Sequence, residues 1–188
     1  MSAVEGAAPV IEPTTEHPWH HRHMLDVDVL SAADIGLVMK TTDAMKEILA
    51  RPITKVPVLR GRNVTIIFYE ASTRTRVSFE VAAKNLSADV VNIAASASSV
   101  TKGESLVDTI RTIEALGAHM IVMRHGTSGA PYLAAEVFSG SVLNGGDGWH
   151  AHPSQALLDL YTMRAHLGDL RGKKIVILGD VLHSRVAR

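Results

Sequence analysis

Short apolar runs alternate with stretches of helical periodicity along most of this chain. Five mostly apolar runs predict β-strands, at residues 63–69, 89–93, 119–123, 141–144 and 174–178. Helical patterns lie between these runs, at residues 73–86, 105–116, 131–138 and 153–167. Strands that alternate with helices favour parallel βαβ units, so the pattern predicts the α/β class, with a doubly wound parallel sheet flanked by helices.

A further helix is predicted ahead of the first strand. Ser31 followed by Asp34 is a capping-box pattern, which marks the start of a helix. Helical spacing then connects Ile35, Val38, Met39, Thr42, Met45 and Leu49. Residues 1–16 are small, proline-containing and aperiodic, so we expect a disordered tail and a fold that begins near His23.

Composition and charge limit the kind of partner. The 188 residues suffice for one domain with a core, or for one domain and the start of another. Nineteen basic and nineteen acidic residues cancel, so no overall field draws the chain to nucleic acid or to a membrane, and any anion site is local. The chain has no cysteine, no signal peptide and no apolar run of membrane-spanning length. These features predict a soluble cytoplasmic protein.

The run Ser72-Thr73-Arg74-Thr75-Arg76 stands where the first predicted strand gives way to a helix. A helix start leaves backbone N–H groups unpaired and carries a partial positive charge, which attracts anions. Hydroxyl and guanidinium groups add donors that match a phosphoryl group. The run therefore indicates a phosphate site, with an N-capped helix and two solvated arginines as the alternative interpretation.

Polar residues also follow the other predicted strands. Ligands of open α/β sheets bind beyond the carboxyl ends of the strands, which meet at one edge. The loops at that edge are 72–75, 98–104, 124–125 and 144–155. Any single loop is explained by solvated or structural side chains, but their joint order indicates one anion-binding site.

Four segments together resemble the transcarbamoylase family, across nearly all of residues 19–188. They are 68–76 with Ser78-Phe79-Glu80, then 102–105 with Asp108-Thr109, then 121–125, then 144–155. The Arg-Thr-Arg core is shared by the whole family. The Val-Met-Arg-His strand, the Gly-Asp-Gly loop and a Ser in the His-Pro-x-Gln segment are similar to the aspartate branch and not to the ornithine branch. The departures, which remove no group that the chemistry uses, are Gly145 for Ala, Ser154 for Thr and Trp149 in a normally polar loop.

The resemblance implies attack of the L-aspartate amine on carbamoyl phosphate, giving N-carbamoyl-L-aspartate and phosphate in de novo pyrimidine biosynthesis. It implies no metal, no cofactor and no covalent intermediate. The residues that it places on carbamoyl phosphate are Ser72, Thr73, Arg74, Thr75, Arg124, His152 and Gln155. Those that it implies in catalysis are Arg74, Thr75, Arg124 and His152. The leaving phosphate itself would take the amine proton.

The resemblance also implies an active site shared between subunits of a homotrimer. Ser98 and Lys102 would reach carbamoyl phosphate from the neighbouring subunit. Lys102 and Arg185 would bind L-aspartate, and Glu70 would pair with Arg185 across a domain cleft in the closed state. Whether regulatory or pathway-enzyme subunits join the assembly stays open.

After the tail at 1–16, the same resemblance implies a carbamoyl-phosphate-binding domain at 17–167 and the start of an aspartate-binding domain at 168–188. We therefore expect a fragment of a longer enzyme that binds carbamoyl phosphate weakly and is nearly inactive on aspartate. Two alternatives remain open: another acceptor such as ornithine, or a non-catalytic carbamoyl-phosphate-binding module.

The histidines outside the anion site are interpreted separately. Four of them lie within seven positions, at His17, His20, His21 and His23, and imidazoles bind zinc or nickel. The segment has no periodicity that would fix one face, so we expect no metal site there. His150 is expected to be solvated, and the remaining ones to be structural or exposed: His119, His166 and His183.

Overall fold

Four parallel strands form the centre of the structure, a computed structural model that describes residues 17–94 and 104–187. The strands are β1 (Asn63–Phe68), β2 (Asp89–Ala94), β3 (Met120–His125) and β4 (Ser141–Asp147). The helices are α1 (Ala32–Leu49), α2 (Thr73–Asn85), α3 (Leu106–Ala115), α4 (Ala130–Val137) and α5 (Pro153–Leu167). The predicted α/β class with a parallel, helix-flanked sheet is confirmed. The predicted tail at 1–16 lies outside the described residues.

The strand order β2-β1-β3-β4 determines where a ligand can sit. From β1 the chain passes through α2 to β2 on one side, and the next crossover returns it to β3 on the other side of β1. The connections therefore diverge between β1 and β3, where an open α/β sheet leaves a crevice beyond the strand ends. β1 and β3 are in register from Val64 opposite Met120 to Phe68 opposite Arg124, so their carboxyl ends lie side by side.

Successive side chains of a strand point to opposite faces, and β1 supplies both layers of the core. Val64, Ile66 and Phe68 pack on the same side of the sheet as Ala83 of α2. Ile67 faces the other layer, which is built with residues of β3, β4, α3 and α4: Ile110, Ile113, Ile121, Met123, Ala134, Phe138 and Val142. Both faces of the sheet are thus covered, as the continuous apolar runs predict.

The capping box ahead of α1 is present. The Ser31 hydroxyl accepts from the Asp34 amide at 3.1 Å, and the Asp34 carboxylate accepts from the Ser31 amide at 2.8 Å. Nε2 of His17 lies 2.9 Å from Asp34 and that of His21 lies 3.3 Å away, so two of the clustered histidines contact this cap. Hydrogen bonds from Ser31 and then His17 hold the pKa of Asp34 well below its usual range. Across 17–94 and 104–187, no three acidic or histidine side chains are grouped so as to hold a metal.

The prediction of a strand at 174–178 is wrong. This segment forms no strand among the described residues, and Val176 and Leu178 are 78% and 98% exposed. A run of apolar residues becomes a strand only when a neighbouring strand accepts its backbone hydrogen bonds, and 174–178 pairs with neither edge of the sheet. None of the five described helices is both long enough and apolar enough to cross a bilayer.

Candidate active site

A cavity of about 880 Å³ opens at the carboxyl ends of the strands. Its walls include the starts of α2 and α5, the end of β3 and the segment 183–186. The lining residues are Ser72, Arg74, Thr75, Ser78, Phe79, Ala82, Arg124, His152, Ser154, Gln155, Leu158, His183, Arg185 and Val186. Two helix N-termini and three guanidinium groups therefore meet at one hollow.

The start of α2 supplies free hydrogen-bond donors. Ser72 is the N-cap, and its hydroxyl makes no capping hydrogen bond, so it remains available to a ligand. The first helical bond runs from the Arg76 amide to the Ser72 carbonyl at 3.1 Å, which leaves the three preceding amides without helical acceptors. Arg74 is exposed and makes no hydrogen bond or ion pair with the described part of the chain. This turn is free to bind an anion.

Arg124 is the penultimate residue of β3, and its side chain lines the cavity. Its Nη1 donates to the carbonyl of Gly145 at 3.0 Å, and its Nε lies 3.2 Å from Oε2 of Glu70. Its side chain is only 15% exposed. Burial, followed by the Arg185 guanidinium, lowers the pKa of Arg124, while Glu70 acts in the opposite direction. The register of β3 and β4 shifts between Met123 and His125, where β4 accommodates one extra residue.

Arg185 completes the cationic wall. Its Nη2 donates to Glu70 at 2.9 Å, and its Nε donates to the carbonyl of Gly148. The pairing of Glu70 with Arg185 that the resemblance implied is therefore present. A Cβ on Gly146 would lie 2.8 Å from Nη1 of Arg124 and 3.0 Å from Nη1 of Arg185. Only glycine lets both guanidiniums approach this backbone, which also has a φ of +115°.

His152 is a neutral donor or acceptor in this cavity. It is the N-cap of α5, and the residue is 8% exposed. Burial, then the positive charges of Arg124 and Arg185, lower the pKa of His152 to about 4. Its Nδ1 lies 3.3 Å from the Ser154 hydroxyl, so Nε2 is the ring nitrogen left for a ligand. The imidazole is therefore uncharged at neutral pH.

The buried imidazole makes stability depend on pH. The pKa of His152 is about 4 in the folded state against 6.5 in the unfolded chain, so the unfolded state binds more protons between these values. The free energy of unfolding therefore loses nothing to His152 above pH 6.5. It falls as the pH drops from 6.5 toward 4, and this residue alone accounts for a loss of about 3 kcal/mol. Urea unfolding over this pH range measures the loss, which we expect to be smaller in His152→Asn. The same slope in both proteins would contradict the burial of a neutral imidazole.

Gln155 is oriented by a neighbour one helical turn further along α5. Its Nε2 donates to Asp159 at 2.8 Å. Because the amide NH2 group is engaged in this bond, Oε1 is the atom left to accept a hydrogen bond from a ligand. Gln155, which the resemblance places on carbamoyl phosphate, therefore has its side-chain oxygen available to accept a hydrogen bond.

A buried polar network holds the segment that leads from β4 to His152. Asp147 is fully buried and accepts from the amides of Gly129 at 2.7 Å and Ala151 at 3.1 Å. It also accepts from Nδ2 of Asn144 at 2.7 Å, and Asn144 in turn accepts from the Gly146 amide at 2.8 Å. The sequence showed a Gly-Asp-Gly loop but not this role. A carboxylate between two glycines, in the loop that leads to His152, was the signal that could have revealed it.

The expectation that His150 is solvated is wrong. Its side chain is 23% exposed, and its Nδ1 lies 3.2 Å from the buried carboxylate of Asp147. The segment 144–151 folds back on itself through Asp147, and this brings His150 over the same carboxylate. His119 has a structural role as expected, because its Nδ1 accepts from the Asn63 amide at 3.1 Å.

The structure brings most of the residues singled out in the sequence to the walls of one cavity: Ser72, Arg74, Thr75, Arg124, His152, Gln155 and Arg185. Thr73 is exposed in the first turn of α2 and does not line it. Ser98 and Lys102 lie outside the described residues. Ser78, Phe79 and Ser154 are wall residues to which the sequence analysis gave no role.

The chemistry of these walls suits a small, multiply charged anion. The described lining contains three guanidiniums, several hydroxyls and two helix starts, but no carboxylate. Glu70 balances part of the charge through Arg124 and Arg185. Such a set of donors repels a metal cation and matches a phosphoryl group with an adjoining carbonyl.

Comparison with known proteins gives a consistent result. Residues 22–165 match the family model described as "Aspartate/ornithine carbamoyltransferase, carbamoyl-P binding domain". The aspartate carbamoyltransferase catalytic subunit of Roseiflexus sp. (strain RS-1) is 61% identical over 167 residues, which are 89% of this chain and 52% of that protein. The one from Dehalococcoides mccartyi (strain CBDB1) is 57% identical over 169 residues, 90% of this chain and 51% of its own length.

A solved structure supports the same assignment. Aspartate transcarbamoylase from Trypanosoma cruzi, in complex with carbamoyl phosphate and aspartate, superposes with a TM-score of 0.81 and 36% identity. The match covers 88% of this chain and 54% of that one, and the chain spans about half the length of the curated relatives that it matches. The family model, the relatives and the fold agree, and the chain belongs to the aspartate/ornithine carbamoyltransferase family.

Proposed function

We propose that this chain is the carbamoyl-phosphate-binding part of an aspartate carbamoyltransferase. The observation that carries the proposal is the convergence of Arg74, Arg124 and His152 on one cavity at the strand ends. The enzyme would transfer the carbamoyl group to the amine of L-aspartate and release phosphate, a step of pyrimidine biosynthesis. The balanced charge and the lack of cysteine fit a soluble cytoplasmic enzyme.

The phosphate of the substrate binds at the start of α2. The free amides of the first turn, the Ser72 and Thr75 hydroxyls and the Arg74 guanidinium provide donors around it. Thr73 contributes its amide to the same turn. Arg74 also stabilises the leaving phosphate as the charge on it grows.

The carbonyl of the substrate lies toward the opposite wall. Arg124, Thr75 and the neutral His152 donate to the carbonyl oxygen, on which negative charge develops as the amine attacks. The acceptor oxygen of Gln155 orients the carbamoyl NH2 group. A C–N bond forms, the C–O bond to phosphate breaks, and the departing phosphate takes the amine proton.

Arg185 is the proposed contact to an L-aspartate carboxylate. It stands at the cavity with its guanidinium held by Glu70 and Gly148. Residues 168–188 would be the start of the domain that binds this second substrate, and Lys102 would add a second cation. Among the described residues, Arg185 is the one proposed contact to L-aspartate, whereas several are proposed for carbamoyl phosphate.

The proposed assembly is a homotrimer with shared sites. Val77 and Val81, one turn apart on α2, and Val91 on the edge strand β2 are 44%, 49% and 44% exposed. Val90 packs in the α2 layer, so Val91 is on the opposite face of the sheet, and exposed apolar side chains on both faces of this sheet edge suit contact with a second copy. Ser98 and Lys102 follow β2 in the sequence, so a subunit packed there would bring them toward its neighbour's cavity.

Ligand titration by calorimetry tests the proposed function. Carbamoyl phosphate should bind the 188-residue chain more than about tenfold more tightly than inorganic phosphate, because it adds the carbonyl and amide contacts. L-Aspartate alone should bind weakly. Product formation from both substrates should lie far below the usual turnover of about 1–10³ s⁻¹.

The outcomes separate the alternatives. Equal binding of phosphate and carbamoyl phosphate would indicate a phosphate-binding module and contradict the proposal. Product formed with L-ornithine in place of L-aspartate would transfer the chain to the other branch of the family.

A further inference from the structure

We infer that His150 is a positioning residue for the active site, because it bridges Asp147 and Asp26 and so holds the segment 147–152 against the N-terminal segment. The inference rests on the proposed function for its catalytic meaning. The geometry of the bridge stands independently of it.

The bridge joins three parts of the fold. Nδ1 of His150 lies 3.2 Å from Oδ2 of Asp147, and its Nε2 lies 3.4 Å from Oδ2 of Asp26. The side chains of the two aspartates are 0% and 15% exposed. The ring of Tyr132 on α4 meets the imidazole edge to face, with centroids 5.7 Å apart. Each ring nitrogen of His150 therefore lies beside a carboxylate, and the ring also packs against Tyr132.

Asp26 is itself tied to the sheet. Just before it, Met24 pairs with β4: its amide donates to the Val142 carbonyl, and its carbonyl accepts from the Asn144 amide, each at 2.9 Å. Nδ2 of Asn144 also donates to the Leu25 carbonyl at 2.9 Å. A short stretch of the N-terminal segment thus lies along the free edge of β4 and presents Asp26 to His150.

The segment 147–152 contains His152 and contacts Arg185, and both of these residues line the cavity. The Gly148 carbonyl accepts from Nε of Arg185, and the His152 amide donates to the Arg185 carbonyl at 3.2 Å. Gly148 also donates from its amide to the His125 carbonyl at 2.9 Å, at the end of β3. A displaced segment would move both the Arg185 guanidinium and the His152 imidazole, although His150 itself does not line the cavity.

Variants at both ends of the bridge test the inference. His150→Phe keeps a ring against Tyr132 but removes both nitrogen contacts, and Asp26→Asn weakens the contact from the other side. In each, amide hydrogen exchange at Gly148 and Ala151 should accelerate at least about tenfold while the amides of β1 keep their rates. Carbamoyl phosphate should bind about tenfold more weakly, because a small misplacement of binding groups is costly.

A conservative variant and a control distinguish positioning from general damage. His150→Gln retains a side-chain donor and should recover part of the affinity for carbamoyl phosphate. The double variant His150→Phe with Asp26→Asn should lose less affinity than the sum of the losses in the two single variants. His166→Phe, an exposed site on α5, should leave exchange and binding unchanged.

Two results would overturn the inference: unchanged exchange at Gly148 and Ala151 in His150→Phe, or additive losses in the double variant. Failure of the unmodified chain to bind carbamoyl phosphate would instead contradict the proposed function. The exchange rates would then still decide whether the bridge holds the segment.

Discussion

Replacing Arg74 by alanine should weaken carbamoyl phosphate binding by about 100-fold or more while leaving the stability of the fold unchanged. The side chain lines the cavity, is exposed and makes no hydrogen bond or ion pair with another side chain among the described residues, so its loss leaves no buried polar partner behind. Two charge-assisted hydrogen bonds to a phosphate account for about 3 kcal/mol, which corresponds to this factor. Calorimetric titration and thermal unfolding measure the two quantities.

Matched variants make the Arg74 prediction specific. Arg74→Lys keeps the charge without the planar fork and should fall between the alanine variant and the unmodified chain. Arg76→Ala removes an exposed guanidinium two positions further along α2 that does not line the cavity, and it should change affinity less than about threefold. Equal losses for Arg74→Ala and Arg76→Ala would show that general charge, and not the cavity, attracts the anion.

Replacing Asp147 by alanine should destabilise the fold by about 3–5 kcal/mol. The carboxylate is fully buried and accepts from two backbone amides and from the Asn144 side chain, with His150 as a further neighbour. Removing it leaves several buried donors without an acceptor, which is the costly way to break a polar network. The midpoint of urea unfolding measures the change.

An exposed aspartate provides the control for Asp147. Asp169 pairs with Arg171 two positions away, and its side chain is 59% exposed. Asp169→Asn should therefore leave the midpoint of urea unfolding almost unchanged. A comparably small loss for Asp147→Ala would mean that water or a neighbour replaces the carboxylate, and that the network does not support the segment before His152.

Local sequence patterns correctly predicted those parts of the structure that depend on residues close together in the chain. The predicted α5 has the observed bounds, and the capping box at Ser31 is formed, because each depends on residues within one or two turns. The meeting of Arg74, Arg124 and His152 followed from parallel topology, since the carboxyl ends of parallel strands share one edge.

Features that depend on residues far apart in the chain could not be predicted from local sequence patterns. Residues 174–178 have the composition of a strand, but among the described residues no strand pairs with them. Strand β4 was predicted to end at Asn144, yet it continues to Asp147, whose carboxylate accepts from the amide of Gly129, 18 positions earlier in the chain. His150 was misjudged because Asp26, its second contact, lies more than 100 positions earlier in the chain.

Glu70 pairs with two of the three guanidiniums that line the cavity, and the remaining excess of positive charge makes the stability of the chain depend on the ions in solution. Under the proposed function, sulfate or phosphate in a buffer binds only the folded state, so each should raise the apparent melting temperature by mass action. Chloride and a non-coordinating organic buffer leave the arginines to repel one another. The apparent melting temperature of the same protein should therefore differ between these two kinds of buffer. The size of the difference would measure the affinity of the cavity for the anion.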